Sequence, residues 1–283
     1  MTPNDAPAAA EDDQSALRLL ESRLQALLPQ DYKDGYDDVE PVPMGSAALK
    51  YDGTGQVAWD EIWQSFCDLA MAGGPPHKGR LLPPAAAGDV AADPDRYCAV
   101  TSEICRGITM ATGLPSDPSP EPGWVHVGCD SNEMAGWLLR AIGMENVAVR
   151  AEGSVLDLPA GPAYRVEKEI KNVVTVIAKT CHYWSGHMWR FEQRAIADLF
   201  AAMEAESPLL VPSYPDPEWI ATPCPDVRSA VWMTRIMVAS NVLARREETV
   251  LLAPVDAVHD PDGAIAAGAI ARARRLAALK GLV

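Results

Sequence analysis

Apolar positions along this chain recur first at helical spacing and then at alternating spacing. Leu17, Leu20, Leu24 and Leu27-Leu28 fall on one face of a helix from Ser15 to Leu28, with Ser15 near its start. Trp59, Ile62-Trp63, Phe66 and Leu69-Ala70 mark a second helix, Trp59 to Met71, which Gly73-Gly74-Pro75-Pro76 must end. Between them, Pro29 to Gly55 is acidic and rich in turn residues and reads as a linker or surface arm. A helix from Cys98 to Ala111 then leads to a short strand, Trp124 to Val127. Asp130, Ser131 and Asn132 supply N-cap residues for the next helix. Two strands follow, Asn146 to Arg150 and Val155 to Leu158, with a turn at Glu152-Gly153.

That order is predicted again further on. A helix from Arg194 to Ala205 precedes a strand from Trp219 to Ala221 and a helix capped at Asp226. Strands from Asn241 to Ala244 and from Val250 to Leu252 complete it, and a helix from Gly263 to Leu279 closes the chain. Residues 122–159 align with 217–254 without a gap at an offset of 95, with thirteen identities in 38 positions. Trp124 pairs with Trp219, Cys129 with Cys224, Trp137 with Trp232, Arg140 with Arg235 and Arg150 with Arg245. The pattern predicts an α+β fold of two tandem α-β-α-β-β repeats with pseudo-twofold symmetry and an N-terminal helical arm. The expected divisions are a disordered tail (1–13), the arm with its Gly-Pro loop (14–95), a first repeat (96–165) and a second (166–283). The second repeat includes an inserted helix, 165–187. A cleft between duplicated halves is a common place for a site.

Composition narrows the partners. The net charge of −15 and pI near 4.7 repel phosphate backbones, so nucleic acid is not expected. No apolar run approaches the ~20 residues of a spanning helix, and Met1 to Asp13 lacks the basic and apolar parts of a signal peptide. A cytoplasmic location without membrane contact is expected. Six cysteines without a CxxC pair read as free thiols.

Segment 165–187 carries the richest chemistry. As a helix it aligns Lys168, Asn172, Thr175, Lys179 and His182 in a polar stripe opposite an apolar one. Such a stripe faces either a ligand or solvent. The Val173–Ile177 run is also compatible with a buried strand. Cys181, His182 and His187, with His77 from the Gly-Pro loop, have the donor chemistry for zinc, iron or copper. In an unbroken α-helix His182 and His187 are five apart and poorly aligned, so Gly186 is expected to break the helix and let His187 swing back. Cys129 precedes a helix start, where amides and the dipole favour a thiolate, and His126 lies three residues before it. Arg140 and Arg235, with Arg150, Arg245, Glu152 and Glu247, read as Arg–Glu pairs fixing a helix to its hairpin, or as an anion pocket. Lys78 beside His77 presents a charge at a tight turn.

The expectation is a metal-dependent enzyme acting on a small polar or anionic molecule between the two halves. His77, Cys181, His182 and His187 hold the metal. Lys78, Lys168, Asn172, Arg140 and Arg235 bind substrate, and His182, Cys129 and Lys179 are the catalytic candidates. The alternatives are a metallocofactor assembly factor working with a partner protein, and a structural subunit of a homo-oligomer.

Overall fold

The computed structural model describes residues 6–29, 33, 49–61 and 79–283. Mixed helix and antiparallel sheet make the protein α+β, as its sequence pattern predicts. The chain forms two compact units: Pro41–Trp189, and Met1–Glu40 together with Arg190–Val283. Helix α1 (Ala6–Leu27) belongs to the second of these. It begins at Ala6, inside the expected tail, because Ala8, Ala9 and Ala10 have the highest helix propensity of any residue. The expected helix from Trp59 to Met71 lies mostly outside the described residues.

The unit Pro41–Trp189 is built on a four-stranded antiparallel sheet. Helix α2 (Ala87–Ala92) is followed by α3 (Pro94–Thr112), capped by the Asp93 carboxylate and ended by Gly113 at φ 76°. Strands β1 (Ser116–Pro118) and β2 (Trp124–Gly128) precede α4 (Asn132–Met144), whose N-cap Ser131 accepts from the Met134 amide. Strands β3 (Arg150–Glu152) and β4 (Val155–Pro159) complete the order β1-β2-β4-β3. Alternation sends Val125, Val127, Leu156 and Leu158 to one face, where all four are buried and where α3 and α4 pack. The opposite face carries His126, Asp157 and Arg150, directly paired across the strands.

The hairpin starts later than its sequence pattern predicts. Asn146 is left-handed at φ 59° and Val147 bridges to Leu82 in parallel, so regular pairing with β4 begins only at Arg150. Asn is one of the few residues that tolerate that backbone, which is why it holds the turn.

Helix α5 (Lys171–His182) packs against both α3 and α4, and every residue from Asn172 to Cys181 is buried. The Val-rich run is therefore helix and not strand. Gly107 of α3 permits the close approach: a Cβ there would lie 2.7 Å from Val174 Cγ2. A π-helical turn flanks α5 at each end, π1 (Val166–Ile170) and π2 (Tyr183–His187).

The second unit holds α1, α6 (Arg190–Glu206), β5 (Trp219–Pro223), α7 (Val227–Ala239), β6 (Arg245–Glu247), β7 (Val250–Pro254) and α8 (Ala264–Leu279). Its sheet runs β5-β7-β6. Leu251 and Ala253 face Trp232, Ile236, Ile270 and Leu276 in one apolar cluster, to which α1 adds Leu20 and Leu24. No helix among the described residues is long and apolar enough to cross a membrane.

Candidate functional site

The polar stripe predicted on segment 165–187 exists, but it is buried. Asn172 is 7%, Thr175 8% and Lys179 6% exposed. Lys168, in the π1 turn, instead reaches outward and pairs with Glu169 at 3.2 Å. A buried ammonium must have partners. Lys179 Nζ donates to Glu145 Oε1 at 2.8 Å. Glu145 is the C-cap of α4. The Tyr183 ring lies 5.8 Å from the ammonium and 5.5 Å from the His187 ring. Tyr183 thus joins the ion pair to the histidines.

His182 and His187 converge through a widened helix. We find no break at Gly186: residues 183–187 form the π2 turn, in which hydrogen bonds run from i to i+5 and residues five apart share a face. The two Nε2 atoms stand 3.0 Å apart, with ring centroids at 4.8 Å. A Cβ at Gly186 would lie 3.7 Å from His182 Cε1, an ordinary van der Waals distance. Trp184 anchors the turn on α4, 5.7 Å from Trp137. π-Helical turns are rare and concentrate at functional positions. Here one sets the spacing of an imidazole pair.

Cys181 precedes His182 on α5. It is 7% exposed, and burial pushes its thiol up, with Cys129 and Asp130 nearby adding to the effect. Among the described residues, no three His, Cys, Asp or Glu side chains are grouped to hold a metal. His77 and Lys78 lie outside the described residues.

Cys129 differs from its expected chemistry. Its amide donates to the Ser154 carbonyl at 2.8 Å, and α4 begins only at Asn132. Burial, reinforced by the Asp130 charge, pushes the thiol up to about 12 instead of down. Arg140 is turned back onto its own helix, donating to the Gly136 carbonyl at 2.9 Å. Arg235 is likewise buried, within α7 of the other unit.

A second polar group lies on the outer face of the first sheet. Asp117, His126, Asp157 and Arg150 occupy one cross-strand row. His126 Nδ1 bonds to Asp157 Oδ1, and Arg150 Nε donates to Asp157 Oδ2 at 2.7 Å. Arg150 also donates to Glu121 at 2.5 Å and stacks on Trp124 at 4.5 Å. The sequence suggests Glu152 as the partner of Arg150. Strand register chooses Asp157 instead, because Arg150 and Asp157 stand directly opposite. Arg245 does pair with Glu247, at 2.7 Å.

Glu145, Tyr183 and Asp157 escape sequence reasoning. Tyr183 carries a usable signal, four residues after Lys179 on the same helical face. Glu145 and Asp157 reach their partners only through packing and register. Comparison with known protein families, with curated proteins and with solved structures finds no match for this chain.

Proposed function

We propose that the protein is a metal-dependent enzyme acting on a small polar or anionic molecule, with His182 and His187 as two of the metal's ligands. The observation that carries this reading is the 3.0 Å approach of their Nε2 atoms across the π2 turn. Two imidazole nitrogens on one tetrahedral cation, each at ~2.0–2.1 Å, lie roughly 3.3 Å apart. The pair therefore needs little adjustment to accept zinc, iron or copper. His77 is the proposed further ligand from the predicted set, and a catalytic site keeps one position open for water or substrate. Lys179 and Asn172 supply polar groups on the same helical stripe, with Lys179 held by Glu145. Cys181 is left out of the ligand set, because among the described residues it forms no metal-holding group with the two histidines.

We infer further that the two modules arose by duplication. Strands β2, β3 and β4 and helix α4 have counterparts in β5, β6, β7 and α7 at the same sequence offset, with matching strand registers.

The test is elemental analysis of tag-free protein by plasma mass spectrometry, with cobalt substitution read in the visible spectrum. Expected are about one bound ion per chain and a cobalt band shifted by His182→Ala and by His187→Gln, with Cys181→Ser unchanged. Far-UV circular dichroism checks that each variant folds. Absence of metal after reconstitution, or metal retained in both histidine variants, overturns the proposal.

A further inference from the structure

The unit formed by Met1–Glu40 and Arg190–Val283 holds a cleft of about 360 Å³. Its charged lining is Arg23, Arg272, Arg275 and Glu206, three cations to one anion, in a chain of net charge −15. Local guanidinium groups here oppose the global field. Arg23 is 7% exposed and held from below, paired to Glu206 and near the Ala239 carbonyl at 3.5 Å. Arg275 reaches Asp13 at 3.3 Å, a long contact that an entering anion can replace. Arg272 is exposed on the same face of α8.

The rest of the lining is mostly apolar. Leu19 and Ile265 are 47% and 39% exposed, and both border the cleft. Gly268 lies between Ile265 and Arg272 on that face, and a Cβ built there meets nothing within 4 Å. A glycine inside a helix costs roughly 0.5–1 kcal/mol relative to alanine, and here no crowding requires it. It leaves open space in the cleft lining.

We propose that this cleft binds a small amphiphilic anion: a carboxylate or phosphate head on the arginines and an apolar body along Leu19, Ile265 and Gly268. Clefts of roughly 300–1,000 Å³ suit drug-sized ligands, and guanidinium forks match both head groups. This inference stands independently of the metal site, which belongs to the other unit.

The test is isothermal titration of the full chain with decanoate, decyl phosphate and inorganic phosphate. Binding of either decyl ligand, with inorganic phosphate at least tenfold weaker, supports the proposal, and the tighter decyl ligand identifies the head group. Arg272→Gln should weaken binding about tenfold, the loss of one charge-assisted bond. Arg274→Gln, on the same helix but outside the cleft, should leave it unchanged. Gly268→Met should abolish binding with little change in melting temperature. No binding of any probe, inorganic phosphate binding as well as the decyl ligands, or wild-type affinity in Gly268→Met overturns the proposal.

Discussion

In one unit Arg150 stacks on Trp124 at 4.5 Å; in the other Arg245 stacks on Trp219 at 4.5 Å. The Cys129 amide donates to Ser154, and the Cys224 amide to Thr249, both at 2.8 Å. Asn146 and Asn241 take the same left-handed backbone, at φ 59° and 63°. Leu82 bridges to Val147 and Leu210 to Val242. These shared devices sit at strand ends, caps and turns, where they set register and helix entry. The modules differ at the middle of the outer sheet face. His126 and Asp157 stand where the other module has Ala221 and Leu252, beside the arginine that both retain. Positions that define the frame are alike in both modules, and the outer row is where they differ.

The comparison breaks most visibly at the tryptophans. Trp124 is 2% exposed, and Trp124→Ala should cost about 3–5 kcal/mol in urea unfolding. Trp219 is only partly buried, so Trp219→Ala should cost less. Equal losses would show that the two stacks support their units alike despite the difference in burial.

The outer row is next. Asp157→Leu removes the carboxylate held by both His126 and Arg150, and should cost about 1–3 kcal/mol. Adding His126→Ala copies the Ala221–Leu252 arrangement and should recover part of that loss. A double-mutant cycle measures the coupling, and strict additivity would remove His126 from the network.

The hairpin turns sharpen the comparison with a smaller effect. Gly153 occupies its turn at φ 58°, whereas Glu248 occupies the other at φ 51°. Glu248→Gly should therefore stabilise by ~1 kcal/mol, read as a rise of a few degrees in melting temperature. Gly153→Glu should do the reverse.

Titration gives the smallest effect at neutral pH. The Cys129 thiol, raised by burial from 9.0 to about 12, keeps its proton in the native chain after the unfolded chain begins to lose it. Its contribution to stability is fully present below pH 9 and fades as pH rises toward 12. Cys129→Ser should flatten that alkaline decline. In the other unit, burial of Asp256 opposes its ionisation, but amides of His259, Val258 and Val211 outweigh it and hold the carboxyl below its ordinary range. That contribution is present above the ordinary carboxylate pKa and is lost as acid is added, so Asp256→Asn should flatten the acid limb instead. Iodoacetamide at pH 8 should label exposed Cys98 well before Cys129.

Much of the fold was legible because its signals are local. Alternation in Val125–Val127 and Leu156–Leu158 and caps at Ser131 and Asp226 each act within a few residues. Asn146 and Asn241, predicted to start strands, hold left-handed turns instead. The candidate site was legible in part: Lys179 and His182 share a predicted stripe, whereas His187 joins them only through the π2 turn. Glu145 was not, since it meets Lys179 across 34 positions of sequence. Cys129 misled for the same reason: proximity to a helix start predicts a lowered thiol, but the depth at which neighbouring elements bury it decides the outcome.

The sequence by itself determined the α+β class and the offset of 95 between the two modules, because periodicity, caps and turn residues are properties of short segments. Tertiary structure alone decided that a π turn aligns His182 with His187, that Asp157 and not Glu152 takes Arg150, and that arginines of α1 and α8 line one cleft. Those outcomes depend on packing and register between segments distant in the chain, which no local pattern encodes.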